Sequence, residues 1–164
     1  MPSLILRPAH AADLPAICQL ADEINAIHHA HQPDVFLPPT GDDSHAPWWL
    51  ARMTARDGIM LLALHADALI GFVTADASIP DSLPPFVVAR RECRIGTIVV
   101  TEAWRGQGVG RQLLAAVESW AQGMGAVGLR LQVFEFNTGA IRLYEGEGFV
   151  TPSRFMLKPL ASAA

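Results

Sequence analysis

Three glycines at alternate positions, Gly106, Gly108 and Gly110, lie between Arg105 and Arg111. They follow the apolar run Ile98–Val100 and precede a run with helical spacing, RQLLAAVESW. A strand, a glycine turn and a helix in this order aim several free backbone N–H groups at one point. The first turn of a helix carries unpaired donors and the positive end of the peptide dipole. Glycine lets a ligand approach the main chain and permits the dihedrals of an anion-holding nest. The guest selected by this chemistry is a phosphate or pyrophosphate, with Arg105 and Arg111 adding charge. A P-loop would need Lys and then Ser or Thr after the last glycine, where this chain has Arg111–Gln112. A dinucleotide fingerprint would need glycine at position 111 and an acid closing the next strand. The residue is Arg111, and Leu129–Val133 (LRLQV) holds no acid. A merely tight connection would explain one glycine but not three.

Elements that could position such a turn are legible on both sides of it. Ser3–Arg7 reads as a strand ending at Pro8. Asp13 is placed to cap a helix whose apolar residues, Leu14, Ile17, Leu20, Ile24 and Ile27, recur at three- and four-residue steps until Pro33. A loop rich in Pro and Asp leads to a second helix around Trp48–Arg56, with Trp48 and Trp49 expected as core anchors. Ile59–Leu64 and Leu69–Ala75, around the polar turn His65–Asp67, read as a hairpin. Phe86–Val100 is the longest β-like region, and Leu129–Val133 alternates apolar with polar residues as a strand does. After the glycine turn, Leu113, Val117, Trp120 and Met124 share one helix face. Asn137 or Thr138 can cap a short helix closed by Gly146 and Gly148, and Phe149–Leu157 reads as a last strand. The order implies one domain over residues 1–164, an α/β (α+β) fold with a mixed sheet and helices on both faces.

The bulk composition excludes several classes. The chain has 164 residues, a hydrophobic fraction of 51% and a net charge of −4. It is long enough for a core without staples and lacks the basic face of a nucleic-acid binder. Its cysteines, Cys18 and Cys93, lie in apolar stretches and read as reduced core thiols. The sequence shows neither a signal-peptide layout nor an apolar run of about 18 residues, so a cytoplasmic protein without a membrane partner is expected.

Two stretches together resemble a known family. Arg105-Gly-Gln-Gly-Val-Gly110, preceded by Val100-Thr-Glu-Ala-Trp104, is similar to the Arg/Gln-x-x-Gly-x-Gly/Ala motif of the GCN5-related N-acetyltransferase (GNAT) superfamily. Asn137-Thr-Gly-Ala-Ile-Arg-Leu-Tyr-Glu-Gly-Glu-Gly-Phe149 resembles that family's Asn-x-x-Ala-x-x-Leu-Tyr-x-x-x-Gly-Phe stretch. The pair covers roughly residues 94–150. The resemblance implies a mostly antiparallel sheet that splays at a cleft for acetyl-coenzyme A, the acetyl donor, with no metal. The pyrophosphate would sit on the amides of Gln107, Gly108, Val109 and Gly110, with Gly106 in the same turn and Arg105 and Arg111 nearby. The pantetheine arm would run along Ile98, Val99 and Val100, beside a bulge, and Asn137 would hydrogen-bond it. Tyr144, the chain's only tyrosine, occupies the family's general-acid position. A homodimer is compatible with the resemblance.

Acetyl transfer to an amine requires a neutral nitrogen, and deprotonating a lysine-like amine at pH 7 costs about 4–5 kcal/mol. Many relatives carry a glutamate on the strand before the glycine turn, yet Arg94–Val100 (RIGTIVV) holds no carboxylate. Glu92 is the nearest candidate base; flanked by Arg91 and Arg94, it is equally a surface ion pair, and a water-mediated base or none stays open. His28, His29 and His31 with Asp34 invite a metal reading, but adjacent helical histidines point apart, and an acceptor-pocket rim fits them better. Asp34, Phe36, Asp42 and Trp48 could frame the amine of a small molecule or a peptide. The expectation is an N-acetyltransferase acting on a primary amine, with a non-catalytic coenzyme-A-binding sensor or regulatory module as the alternative.

Overall fold

The structure is a computed structural model that describes residues 4–160. Five strands form one sheet in the order β1-β2-β3-β4-β5. They are β1 (Ile5–Pro8), β2 (Gly58–His65), β3 (Ala68–Ser78), β4 (Glu92–Val100) and β5 (Leu129–Arg130). Neighbours in β1 to β4 are antiparallel, and β5 runs parallel to β4. Among the described residues the α-helices are α1 (Leu14–His31), α2 (Ala46–Met53), α3 (Val109–Gly123) and α4 (Thr138–Gly146). Ser3, which opens the first expected strand, lies outside the described residues.

Alternation along the central strands divides the core in two. Met60, Leu62 and Phe72 face α1 and α2, packing with Ile17, Leu20 and Trp49. Leu61, Ala63 and Val73 face α3, packing with Leu113, Leu114 and Val117. A sheet covered on both faces is thus the expected α/β architecture, here realised with mainly antiparallel strands. Phe72, Ile17, Leu62 and Leu113 are fully buried, and each such side chain contributes about 1.5–3 kcal/mol by leaving water.

Asp13 does precede α1, but its carboxylate does not cap it. It instead accepts from both Arg7 guanidinium nitrogens (2.8 and 2.7 Å) and from the His10 N–H (2.7 Å), clamping the end of β1 to the start of α1. The β2–β3 turn is made by Ala66 and Asp67, both left-handed with φ of 46° and 65°, as a two-residue hairpin whose twist matches its strands requires.

Three expected elements differ. The strand expected from Phe86 begins only at Glu92, because Pro84 leads into a turn closed by the Val87 N–H on the Pro84 carbonyl and β3 offers no partner beyond Ser78. The strand expected over Leu129–Val133 stops after Arg130. The strand expected at Phe149–Leu157 does not form: residues 150–160 have no regular structure and expose Phe155, Met156 and Leu157. Without Leu131–Val133 in the sheet there is no edge for them to join, and Pro152 interrupts the run.

Candidate active site

The sheet opens where β5 ends. β4 pairs with β5 only at Cys93–Leu129 and Arg94–Arg130. Beyond that point, Ile95–Ile98 of β4 and Leu131–Phe134 form opposite walls of a cleft of about 580 Å³. The divergence coincides with a bulge. The β3–β4 register passes from Thr74–Thr97 to Ala75–Ile95, leaving Gly96 without a partner. A Cβ on Gly96 would stand 3.0 Å from Thr74 Oγ1. That buried hydroxyl takes over the ladder by accepting from the Thr97 N–H at 3.0 Å. The extra residue also resets the alternation. Ile98 and Val100 join Cys93 and Ile95 on the α3 face, while Val99 turns to α1.

The bulge determines which amides face the cleft. The Thr101 N–H donates to the Ile70 carbonyl at 2.9 Å and that of Thr97 to Thr74, so this set points toward β3. Alternate residues of an antiparallel strand direct their N–H groups to opposite sides, so Ile98 and Val100 present theirs on the open side and Val99 does not. Val100's carbonyl accepts from Arg105 Nε at 2.9 Å, which ties the turn to the strand's end.

The glycine turn stands past that end, outside the cleft lining, after one turn of 3-10 helix (Glu102–Trp104). Its glycines have two different reasons to be glycine. Gly106 and Gly108 are left-handed, with φ of 72° and 83°, and a Cβ on either would meet nothing. Gly110 has ordinary dihedrals, but its Cβ would come within 3.0 Å of Leu143 Cδ2 on α4. The first bond of α3 runs from the Gln112 N–H to the Gly108 carbonyl, so the amides ahead of it have no partner in the helix. Gln107 Nε2 donates to the Ala103 carbonyl at 2.8 Å. Arg111 is paired with Glu147, so part of its charge is already balanced.

Asn137 and Tyr144 both reach the cleft lining. Asn137 caps α4, its Oδ1 accepting from the Ala140 N–H at 3.2 Å. Tyr144 is 8% exposed beside Phe149. Burial pushes its phenol up to about 12, and among the described residues its hydroxyl has no hydrogen-bond partner.

The structure does not bring Glu92 to this place. It opens β4, three residues before the cleft lining begins, and pairs with Arg130 at 3.4 Å. Asp34 and Asp42 also stay out of the lining, whereas Phe36 and Trp48 enter it. Trp48 is no core anchor: it is 49% exposed with Arg52 over its ring, and only Trp49 is buried. Residues not singled out from the sequence complete the walls, among them Asp22, His45 and Phe134. His28 lines the cleft with its Nδ1 2.8 Å from the Ile24 carbonyl. That contact makes Nδ1 the protonated nitrogen of the neutral ring and leaves Nε2 as the acceptor. Among the described residues no helix is long and apolar enough to cross a membrane.

Comparison with known proteins supports the same pattern. The family model described as Acetyltransferase (GNAT) family matches residues 21–149. The chain is 29% identical over 124 residues to the uncharacterized N-acetyltransferase YycN of Bacillus subtilis (strain 168), a match spanning 76% of this chain and 68% of that protein. A mutant of the BH1408 protein from Bacillus halodurans superposes with a TM-score of 0.87 at 22% identity, covering 96% of this chain and 99% of that one. The aminoglycoside N-acetyltransferase AAC(6')-Iy, solved in complex with CoA, superposes with a TM-score of 0.74 at 21% identity, covering 96% and 95%.

Proposed function

Because the chain belongs to the acetyltransferase (GNAT) family, we propose that it transfers the acetyl group of acetyl-coenzyme A to a primary amine bound in the β4 cleft. The observation that carries this reading is two sets of main-chain donors at the end of β4, separated by the 3-10 turn Glu102–Trp104. The first is the open-side amides of Ile98 and Val100, opposite walls that leave room for an extended chain, and the second is the unpaired amides around Gly108. A pantetheine arm fits the first set as an added strand, and a pyrophosphate fits the second. CoA is also the ligand of one structural neighbour, AAC(6')-Iy.

In this reading the amine nitrogen attacks the thioester carbonyl carbon, whose oxygen gathers charge. The open-side N–H of Ile98 serves as the donor to that oxygen in this reading. Carbon–sulfur cleavage then leaves a thiolate. The Tyr144 phenol, held up to about 12, is a weaker acid than an ordinary thiol (about 8.5) by about 3.5 units, so outright proton transfer is uphill by about 5 kcal/mol. Tyr144 therefore acts as a hydrogen-bond donor to the sulfur, and solvent completes the protonation. The proton lost by the amine passes through cleft water to the Nε2 of His28, the lining ring whose Nδ1–H is already committed to Ile24. Glu92, paired with Arg130, has no part in it.

The direct test combines calorimetry with coenzyme A and thiol release from acetyl-CoA across a panel of amines. Heat of binding with amine-dependent thiol release is expected. Binding without turnover on any amine would favour the coenzyme-A-binding regulatory module, and no binding at millimolar coenzyme A would end both readings.

A further inference from the structure

The acceptor half of the cleft has a chemistry of its own. Three rings, brought from α1, the loop after it and the segment after β5, pack together, two of the pairs edge to face and the third tilted. The centroid of Phe36 lies 4.8 Å from His28 and 5.4 Å from Phe134, at 52° and 74°, and His28 lies 5.4 Å from Phe134 at 76°. Phe136 supports them, near-parallel to Phe134 at 5.4 Å and stacked on His31 at 4.4 Å. The rim above is apolar and open: Val35, Leu37 and Trp48 line the cleft while exposed.

Charge in the same place is sparse. Among the described residues Asp22 is the one carboxylate in the lining, and its Oδ2 already accepts from the Gly41 N–H at 2.8 Å. Asp34, Asp42 and Asp43 lie on the neighbouring loop but not in the lining, and Asp42 is engaged by the Ser44 N–H at 2.9 Å. A polycation bound here would bring several ammonium groups to a lining that offers a single carboxylate. A single ammonium has one carboxylate and several ring faces to meet it. The whole cleft measures about 580 Å³ and must also hold an acetyl thioester, so the acceptor is small.

Resting on the acetyl-transfer reading above, we propose that the acceptor is a small primary monoamine with an aromatic or flat apolar body, seated against Phe36, Phe134 and His28 under the Trp48 rim, with Asp22 near its ammonium group. The neutral amine forms a C–N bond to the acetyl carbon as the C–S bond breaks. The sulfur leaves with the bonding pair and gains a proton, and the nitrogen loses one, giving an N-substituted acetamide and free thiol.

The test uses the full chain saturated with coenzyme A, titrated calorimetrically with phenethylamine and tryptamine, and acetyl-CoA turnover compared across these two, spermidine and kanamycin. Both arylalkylamines are expected to bind, with kcat/KM at least roughly tenfold above either polycation. Phe36→Ala should raise KM for phenethylamine roughly tenfold while leaving affinity for coenzyme A unmoved. Phe36→Asp, a loop substitution that adds a second carboxylate, should narrow or reverse the preference over spermidine. Failure of arylalkylamines to bind the coenzyme-saturated protein, or a wild-type preference for spermidine or kanamycin, would overturn the proposal while the acetyl-transfer reading stands. Absence of coenzyme A binding, measured separately, is the failure of that earlier reading.

Discussion

Gly108→Ala separates the two demands placed on the glycine turn. Gly108 has a φ of 83° and space for a Cβ, so the substitution introduces backbone strain without a clash. Holding an L-residue left-handed costs roughly 1–2 kcal/mol, and restricting the unfolded chain returns about 0.4–1 kcal/mol. The net loss is about 1 kcal/mol, and for a domain near this size Tm should fall by roughly 2–4 °C. The second effect is larger. Relief of the strain would rotate the peptide groups beside residue 108, where α3 begins, and withdraw one amide from the proposed phosphate site. A hydrogen bond to a charged group is worth about 1.5–3 kcal/mol, so the dissociation constant of coenzyme A should rise roughly 10- to 150-fold. Differential scanning calorimetry reads the first number and titration calorimetry the second. An unchanged coenzyme affinity alongside the expected fall in Tm would show that the phosphates sit elsewhere. An unchanged Tm would refute the left-handed geometry itself.

Tyr144 is the only tyrosine, so its phenolate absorbance can be titrated without overlap; the midpoint should lie near 12 in the native protein and near 10 in denaturant. Because the folded value is raised, the protonated phenol contributes stability below about pH 10 that is lost as pH rises through 12, and Tyr144→Phe should remove this part of the alkaline decline while lowering kcat roughly 10- to 150-fold through loss of one hydrogen bond to a charged sulfur. Asp13 has the opposite sign: the Arg7 hydrogen bonds hold its carboxyl down to about 2, so stability present above about pH 4 is lost as pH falls through 2. Asp13→Asn should cost about 1–2 kcal/mol at pH 7, read as a lowered urea midpoint, and progressively less as pH falls toward and below 2. Replacing the left-handed pair Ala66–Asp67 by Asn-Gly should raise stability by about 1 kcal/mol and Tm by roughly 2–4 °C; no gain would mean that the turn differs from a two-residue hairpin.

What could be read in the sequence was local. The glycine turn was legible because Gly106, Gly108 and Gly110 have few other uses between a strand and a helix, and the cap at Asn137 because cap and short helix lie within one stretch. The hairpin was legible through its two apolar runs around polar residues. What could not be read depends on the partner. Leu129–Val133 alternates as a strand should, but its neighbour swings away at Gly96, so only two residues pair. A glycine inside RIGTIVV was the available signal. Trp48 and Trp49 are alike as letters, and only the packing of α2 decides that one is buried and the other forms the cleft rim. The wall of His28, Phe36 and Phe134 joins two neighbouring positions to a third about a hundred residues away, beyond the reach of spacing arguments.

The open edge of β4 also has to be explained against the usual rule that bare strand edges invite unwanted pairing. Here β5 closes the first part of the edge, and Arg105 covers the last carbonyl, Val100, with its own Nε. What stays bare is short, forms one wall of a cleft facing Leu131–Phe134 and carries the bulge, which leaves room for a single extended chain rather than another sheet. The bulge does two things at once. By displacing Gly96 it turns Ile98 and Val100 to the open side, and by bending β4 away from Leu131–Phe134 it makes the space those amides face. Adding a side chain at Gly96 would push on Thr74 Oγ1, the atom that stands in for the missing ladder carbonyl. The β4 donors, the cleft and the buried Thr74 hydroxyl therefore form one mechanical unit, and a chain that lost the bulge would lose the site while keeping its fold.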